Sequence, residues 1–354
     1  MAETANNPHI TNILVTKLGH IGDVLVVTPF FKVLKDLFPA ARITALVNQG
    51  TEEMALNCPW VDEVLLVNRN RQGALGSNWR LIRALRKKKF DISFELSNGD
   101  RGIYMCRLAG ARHRIGFKSD NKLGGWLLHQ TVERYGPGEH EVNNFLRQIK
   151  ALGHQFAAPP LQWRPPAEMA GRADEILQRH GLELKKFVLV HPTSRWMFKT
   201  WTAAKNARVI NWLAAKGWPV VLTSGPDDKE MAFINEVLRQ VGCSGNVTNL
   251  AGQLNLSLLG ALIKRAALFF GVDSAPMHLA AALQTPTVAL FGPSGEFMWG
   301  PWQVPHHVVS GDCLIRPCGQ DGCNGSKVCN SLRDLPVEKV ERAIDDMLER
   351  GSCA

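Results

Sequence analysis

The sequence predicts an α/β protein of two domains, each built around a parallel sheet. The chain has 354 residues, which is more than one hydrophobic core usually serves. Short runs rich in β-branched residues alternate with helix-like stretches from end to end, which is the pattern of parallel α/β folds. A proline-rich segment separates two halves that each repeat this pattern.

Eight runs are predicted as strands because they are short, apolar and rich in β-branched residues. Those of the first half are 12–17, 42–47, 63–67 and 91–96. Those of the second half are 187–191, 219–224, 267–272 and 287–292. The second set is apolar on both faces, as is typical of strands that helices cover on both sides. Residues 337–349 predict a closing helix, since apolar side chains recur there at helical spacing.

The segment 157–166 is predicted to link the two domains. It holds four prolines in ten residues. Proline fixes φ and lacks an amide donor, so neither a helix nor a central strand can pass through the segment. The expected organisation is an N-terminal domain over 1–160, a second domain over 167–335 and a closing helix over 336–354.

Composition excludes several protein classes. Apolar residues make up 45% and charged residues 21% of the chain, which rules out collagen-like, mostly disordered and coiled-coil proteins. A membrane span needs roughly 18 apolar residues in a row, and the sequence has no such run. The first residues lack the basic and apolar regions of a secretory signal, so we expect a cytoplasmic protein whose cysteines are thiols.

The positive charge of the chain is concentrated in its first half. The formal net charge is +9, and residues 1–166 hold 22 basic and 14 acidic side chains, against 19 and 18 in the remainder. Such a field attracts nucleic acid, a phosphorylated membrane surface or an acidic substrate. Nucleic acid is disfavoured because the chain has no recognition motif. The basic helix predicted over 80–89 is either a solvated face or a contact for anionic lipid and other phosphates.

The first polar motif at a strand end is Lys17-Leu-Gly-His-Ile-Gly-Asp23. Its glycines do not form GxGxxG, and the next strand ends at Asn48 without a carboxylate for a ribose, so dinucleotide binding is excluded. Asp23 is either a helix cap or a carboxylate open to a ligand. The helix N-terminus keeps it ionised in both cases, and an ionised carboxylate can act as a general base.

Two further motifs follow strands of the second half. In His191-Pro-Thr-Ser-Arg-Trp-Met-Phe-Lys199, hydroxyls and cations occur together, the combination that holds a phosphate, although surface cations are often merely solvated. In Gly271-Val-Asp-Ser-Ala-Pro-Met-His278, Ser274 is a predicted N-cap of a helix whose first amides form an anion site. The carboxylate of Asp273, just before this site, indicates a ligand that has hydroxyls as well as phosphates.

Together these motifs resemble glycosyltransferase family 9, the ADP-heptose:lipopolysaccharide heptosyltransferases. The resemblance is carried by Ile13-Leu-Val-Thr-Lys-Leu-Gly-His-Ile-Gly-Asp-Val-Leu-Val-Val-Thr-Pro29, Gly271-Val-Asp-Ser-Ala-Pro-Met-His-Leu-Ala-Ala-Ala282 and Ala289-Leu-Phe-Gly-Pro293. Within the family, the heptosyltransferase III type, which adds a branching inner-core heptose, is the most similar. That similarity is carried by the segment from His191 to Trp201, Val221-Leu-Thr-Ser-Gly-Pro-Asp227 and Trp299-Gly-Pro-Trp302.

The resemblance implies a GT-B architecture, in which two Rossmann-like domains face each other across a cleft. It implies inverting heptose transfer from ADP-heptose to a phosphorylated lipid A core, without a metal or cofactor, with Asp23 as the general base. The implied donor-binding residues are Thr193, Ser194, Lys199, Glu230, Asp273, Ser274, Ala275 and His278. The expected acceptor-binding residues are Lys17, His20, Arg114 and Lys118.

The resemblance also implies a place of action, the inner face of the inner membrane of a Gram-negative cell, where the protein is expected as a peripheral monomer. Two alternatives remain open: a family 9 transferase for another sugar or acceptor, and a non-catalytic homologue that binds a nucleotide sugar. The clustered Cys313, Cys318, Cys323 and Cys329 lack the paired spacing of zinc sites. They predict a thiol-bearing loop, with adventitious metal or a disulfide as the alternative.

Overall fold

A computed structural model describes residues 10–68, 74–97, 99–118, 125–136, 138–242 and 245–352. The chain divides into two compact units, Met1–Arg164 and Pro165–Ala354. This division falls within the proline-rich segment 157–166.

The first unit is a six-stranded sheet in which every pairing of described strands is parallel. Its strands are β1 (Asn12–Lys17), β2 (Arg42–Asn48), β3 (Glu63–Val67), β4 (Ile92–Glu95), β5 (His113–Phe117) and β6 (Gln130–Val132). Its helices are α1 (Ile21–Leu37), α2 (Glu52–Leu56), α3 (Ala74–Lys87), α4 (Asp100–Ala109) and α5 (Glu141–Lys150). The strand order is β3-β2-β1-β4-β5-β6.

The second unit repeats this plan with a second parallel sheet. Its strands are β7 (Val188–His191), β8 (Val220–Leu222), β9 (Val247–Asn249), β10 (Leu268–Val272), β11 (Thr287–Phe291) and β12 (His306–Ser310). Its helices are α6 (Ala167–Arg179), α7 (Ala203–Ala215), α8 (Asp228–Gln240), α9 (Leu256–Arg265), α10 (Ala275–Ala282), α11 (Glu296–Trp299), α12 (Asn330–Asp334) and α13 (Val337–Ser352). Short 3₁₀ turns cover Met197–Lys199 and Cys323–Gly325.

The order of strands in the second sheet is β12-β11-β10-β7-β8-β9, which is the order of the first sheet read in the opposite direction. In both sheets the chain starts at a central strand, builds outward to one side and then returns to build the other side. The order therefore reverses between β1 and β4 in the first unit and between β7 and β10 in the second. Ligands of open α/β sheets bind beyond the carboxyl ends of the strands at such a switch point.

The eight predicted strands are confirmed, and so are the closing helix and the basic helix. The central strands β1, β10 and β11 are buried, as Val15, Phe269 and Leu290 illustrate, and helices pack against these strands. The closing helix α13 covers β10 to β12 with Val340 and Ile344, both fully buried. Burying each such side chain contributes roughly 1.5–3 kcal/mol.

Four strands, β5, β6, β9 and β12, were not predicted from the sequence. All four are short or polar at one end, and β6, β9, β12 and the predicted β3 lie at the edges of their sheets. An edge strand is only partly buried, so its sequence does not need a continuous apolar run. Within the described residues, no helix combines the length and the apolar character that a membrane span requires.

Candidate active site

Asp23 lies at the switch point of the first sheet, in the first turn of α1. Its Oδ2 accepts a hydrogen bond of 2.6 Å from the backbone amide of His20, so the carboxylate caps the helix. Its side chain remains 19% exposed, and its Oδ1 lies 3.7 Å from Nζ of Lys17. A Cβ on Gly19 would lie 2.6 Å from Oδ2, so only glycine allows this close approach.

Lys17 ends β1 beside Asp23, but its side chain is only 3% exposed. Its Nζ donates a hydrogen bond of 3.0 Å to the carbonyl oxygen of Leu96 and lies 4.4 Å from the centre of the Phe145 ring. Burial lowers the pKa of this ammonium. The ammonium is already held inside the unit, and the acceptor contact expected of Lys17 stays a prediction.

The other three residues expected to bind an acceptor lie in different places. His20 is exposed beside Asp23, so the structure brings Lys17, His20 and Asp23 together. Lys118 follows the carboxyl end of β5, is exposed and pairs with Glu133 at 2.9 Å. Arg114 lies near the opposite end of β5, where its guanidinium donates to the carbonyl oxygens of two loop residues, Ala111 and Leu127.

Three charged residues near Lys17 were missed by the sequence analysis. Glu95, at the end of β4, is buried, and burial raises the pKa of its carboxyl to about 7. Arg134 donates a hydrogen bond of 2.8 Å to buried Glu141 at the start of α5. A carboxylate inside an otherwise buried strand was the signal that could have singled out Glu95, because such a group is rare in a core without a role.

Lys199 and Asp273 form an ion pair at the switch point of the second sheet. Nζ of Lys199 lies 2.6 Å from Oδ2 of Asp273, and the side chains are 15% and 8% exposed. The same ammonium lies 4.9 Å from the centre of the Trp196 ring. The pair therefore joins the loop after β7 to the end of β10, and a charge-assisted hydrogen bond of this length orients both groups.

A second buried contact links Thr193 to Glu230. Oγ1 of Thr193 donates a hydrogen bond of 2.6 Å to Oε2 of Glu230, which also accepts one of 3.1 Å from the backbone amide of Gly225. Both side chains are buried. Two residues expected at one donor site, 37 positions apart, are thus in direct contact, and Ser194 is buried next to them.

Helix α10 begins at Ala275, directly after Ser274. The Ser274 hydroxyl donates to the carbonyl oxygen of Val272 at 3.2 Å instead of capping the helix. The positive end of the helix dipole therefore lies beside Asp273 without a side-chain cap. His278, in the same helix, is buried with its ring edge-to-face against Trp299, 6.5 Å between centres.

His191 was not predicted as a site residue, yet it closes β7 next to Thr193. Its Nδ1 lies 3.0 Å from Oγ1 of Thr223, whose hydroxyl donates to the carbonyl oxygen of Val190. A hydroxyl has one proton, so Nδ1 of His191 carries the proton in the first contact. Burial lowers the pKa of His191 to about 4, so the ring is neutral at physiological pH.

The cysteine loop packs against the turn after β11. Arg316 donates to the carbonyl oxygen of Gly292 at 2.6 Å and pairs with Glu296 at 2.8 Å. Cys313, Cys318, Cys323 and Cys329 are free thiols. In the described part of the chain, no group of three or more His, Cys, Asp or Glu side chains is placed to hold a metal.

Each unit is a doubly wound parallel sheet with polar groups at its switch point, which is the arrangement expected of a GT-B protein. Solved structures share this fold. The glycosyl transferase family 9 structure from Veillonella parvula has a TM-score of 0.86 and 25% identity, and covers 96% of this chain and 98% of that one. The E. coli ADP-heptose lps heptosyltransferase II has a TM-score of 0.79 and 21% identity, with 97% and 100% covered. The expected GT-B fold class is confirmed.

The family follows from sequence comparison. The model of glycosyltransferase family 9 (heptosyltransferase) matches residues 78–328. Lipopolysaccharide heptosyltransferase 3 of Escherichia coli is 33% identical over 293 residues, which cover 79% of this chain and 83% of that protein. The chain belongs to glycosyltransferase family 9, and it is a glycosyltransferase. The resemblance inferred from the motifs is thereby confirmed.

Proposed function

We propose that this chain transfers a heptose from ADP-heptose to the inner core of lipopolysaccharide, with inversion at the anomeric carbon. The observation that carries the proposal is the Lys199–Asp273 pair, which holds a cation for the diphosphate beside a carboxylate for the sugar hydroxyls. The 33% identity to an E. coli lipopolysaccharide heptosyltransferase 3 supports heptose as the sugar and the inner-core branch as the product.

The second unit is proposed to bind the donor. Lys199 and the N-terminus of α10, with Ser274 and Ala275, would hold the diphosphate, because a cation and a helix dipole both favour its charge. Asp273 would accept hydrogen bonds from heptose hydroxyls. We assign the remaining donor contacts, including the adenosine ribose, to Thr193, Ser194, Glu230 and His278.

Asp23 of the first unit is proposed as the general base. It takes the proton of the acceptor hydroxyl while the hydroxyl oxygen forms a bond to C1 of the heptose. The bond from C1 to the β-phosphate oxygen breaks, and its electron pair leaves with ADP. Lys199 and α10 stabilise the charge on the departing diphosphate. Asp23 belongs to the first unit and Lys199 to the second.

The acceptor is proposed to be a phosphorylated lipid A core, bound through the basic first unit. We propose that His20, Arg114 and Lys118 contact the acceptor, as expected from the sequence, and that Lys17 acts at the same site. Residues 1–166 carry an excess of eight basic side chains, which favours a phosphorylated partner over a neutral sugar chain. The heptosyltransferase III assignment places the new heptose on the second core heptose.

We further propose that a monomer works at the anionic inner face of the inner membrane, in the cytoplasm. Helices α3 and α4 pack side by side, and Trp79 (65% exposed) and Tyr104 (37% exposed) stand on them. The same two helices expose six cations: Arg80, Arg83, Arg86, Lys87, Arg101 and Arg107. Aromatic rings favour the membrane interface, and each cation near an anionic surface contributes about 1 kcal/mol.

The test is an incubation of the purified protein with ADP-heptose and a series of core acceptors of graded truncation. We expect a mass gain of one heptose on the core that carries two heptoses and none on shorter cores. A gain only on a shorter core would contradict the heptosyltransferase III assignment. Transfer only from another sugar nucleotide would contradict heptose as the donor sugar, and donor binding without transfer to any core would contradict catalysis.

A further inference from the structure

The ammonium of Lys17 is enclosed by three elements of the first unit. It donates to the carbonyl oxygen of Leu96 after β4, faces the ring of Phe145 on α5 and lies 3.7 Å from Oδ1 of Asp23 on α1. With 3% of its side chain exposed, it offers almost no surface to a ligand. These contacts hold the charge in place next to the proposed base.

The surroundings of Lys17 explain why a charge is tolerated at this depth. Burial, the largest influence on its pKa, and Arg134 oppose its charged form, while the carboxylates of Asp23, Glu141 and Glu95 favour it. A buried charge is costly unless opposite charges and hydrogen bonds compensate it. Removing the proposed base would therefore also remove one of the partners that stabilise Lys17.

The two oxygens of Asp23 are used differently. Oδ2 is occupied by the His20 amide and packed against Gly19. Oδ1 faces Lys17 at a distance too long for a hydrogen bond, and no hydrogen bond from the described residues reaches it. One oxygen is thus fixed, and the other is held near a positive charge while it can still accept a proton.

We propose that Lys17 is a positioning residue, which holds the carboxylate of Asp23 in place so that Oδ1 can take the proton of the acceptor hydroxyl, and which does not itself bind the acceptor. This inference rests on the proposed function, because it assigns Lys17 a role through the base. It replaces the expected acceptor contact of Lys17 with an action on Asp23. A base displaced by about 1 Å can slow an enzyme by about 100-fold, which sets the size of the expected effect.

A double-mutant cycle tests this role. The variant Lys17→Met keeps an unbranched apolar side chain against Phe145 but removes the charge. We expect kcat with ADP-heptose and the two-heptose core to fall by about 100-fold, while KM for both substrates changes by less than about threefold. In an Asp23→Asn background, the same Lys17→Met change should lower kcat by less than about threefold, because the group it positions is gone.

The inference would be overturned by an unchanged kcat in Lys17→Met, or by a full loss of kcat that persists in the Asp23→Asn background. A rise in KM for the core would also overturn it, since that rise indicates direct acceptor binding. Should Lys17→Met fail to fold, Lys17→Gln offers an amide donor for the Leu96 carbonyl without the charge, and it should show the same loss of kcat.

The matched control is Lys35→Met. Lys35 donates to the carbonyl oxygen of Ala41 and to Asp62, both at 2.8 Å, in the same unit. The Lys35→Met variant should show how much the loss of a partly buried lysine changes the melting temperature, and its kcat should be unchanged. Wild-type protein that transfers no heptose from ADP-heptose would instead contradict the proposed function, so the two failures can be told apart.

Discussion

Nζ of Lys199 lies 2.6 Å from Oδ2 of Asp273, although 74 residues separate the two positions in the chain. The contact exists because β7 and β10 are hydrogen-bonded neighbours, so the residues that follow them meet at the same edge of the sheet. Each group orients the other. Together they supply the cation for the diphosphate and the carboxylate for the sugar hydroxyls of a nucleotide sugar.

We predict that Lys199→Ala weakens ADP binding by at least about tenfold, since a charge-assisted contact to phosphate is worth about 1.5–3 kcal/mol. Isothermal titration with ADP measures this loss. Lys216→Ala is the control, because Lys216 makes an equally short ion pair with Asp345 on the exposed surface of the same unit. Equal affinities of the two variants for ADP would contradict the placement of Lys199 in the donor site.

We predict that Gly19→Ala lowers kcat by at least about tenfold, because a Cβ there would lie 2.6 Å from Oδ2 of Asp23 and must displace the base. Gly99→Ala is the control, since a Cβ at Gly99 meets no atom within 4 Å. Steady-state kinetics on both variants test the geometry of the base. A Gly19→Ala enzyme as fast as Gly99→Ala would contradict it.

The buried carboxyl of Glu95 predicts a specific pH dependence of stability. Its pKa is about 7 in the folded protein and close to 4.5 when unfolded, so the folded state binds this proton more tightly. The stabilisation from this proton therefore adds fully to the free energy of unfolding below pH 4.5 and is lost as the pH rises to about 7. It amounts to roughly 3 kcal/mol in all. Burial raises this pKa, while hydrogen bonds with Ser97 and the charges of Lys17 and Arg134 lower it.

Glu95→Gln removes that proton equilibrium while it keeps the shape of the side chain. We expect the free energy of unfolding of Glu95→Gln, relative to wild type, to rise steadily as the pH goes from about 5 to about 8. Urea titrations at several pH values measure the difference. A constant difference across this range would show that Glu95 does not titrate there.

The basic face of α3 and α4 predicts binding to anionic membranes. Arg83→Glu with Lys87→Glu reverses two exposed charges on α3, so it should abolish sedimentation with phosphatidylglycerol vesicles. Wild-type protein should not sediment with neutral phosphatidylcholine vesicles. Arg179→Glu with Lys229→Glu makes the same charge change on exposed positions of the second unit and should leave binding intact. Equal binding of the two double variants to phosphatidylglycerol vesicles would exclude this face as the membrane contact.

Much of the donor site could be predicted from the sequence, because its residues directly follow central strands. Phe291 and Val272 end buried apolar runs, so the position of the next polar residue was visible without a structure. Parallel neighbours then bring Thr193 and Asp273 to one edge of the sheet. The strand assignments and the rule that ligands bind at carboxyl ends of strands suffice to find these residues.

The environment of Lys17 could not be predicted in the same way. It depends on Phe145 and Glu141, which reach Lys17 only after α5 packs on α1, more than a hundred residues along the chain. The short edge strands β6 and β9 were also missed, because partial burial leaves little apolar pattern to detect. Contacts set by packing between distant helices are not encoded in local periodicity.

The central claim is that Asp23 removes the proton from the acceptor hydroxyl in a heptose transfer, and single-turnover kinetics on Asp23→Asn test it most directly. Asp36→Asn, an exposed change near the end of the same helix, is the control. With bound ADP-heptose and the two-heptose core, we predict a transfer rate about 10²–10⁴-fold below wild type for Asp23→Asn. Asp36→Asn should transfer at the wild-type rate. An Asp23→Asn enzyme that transfers heptose as fast as Asp36→Asn would contradict the account.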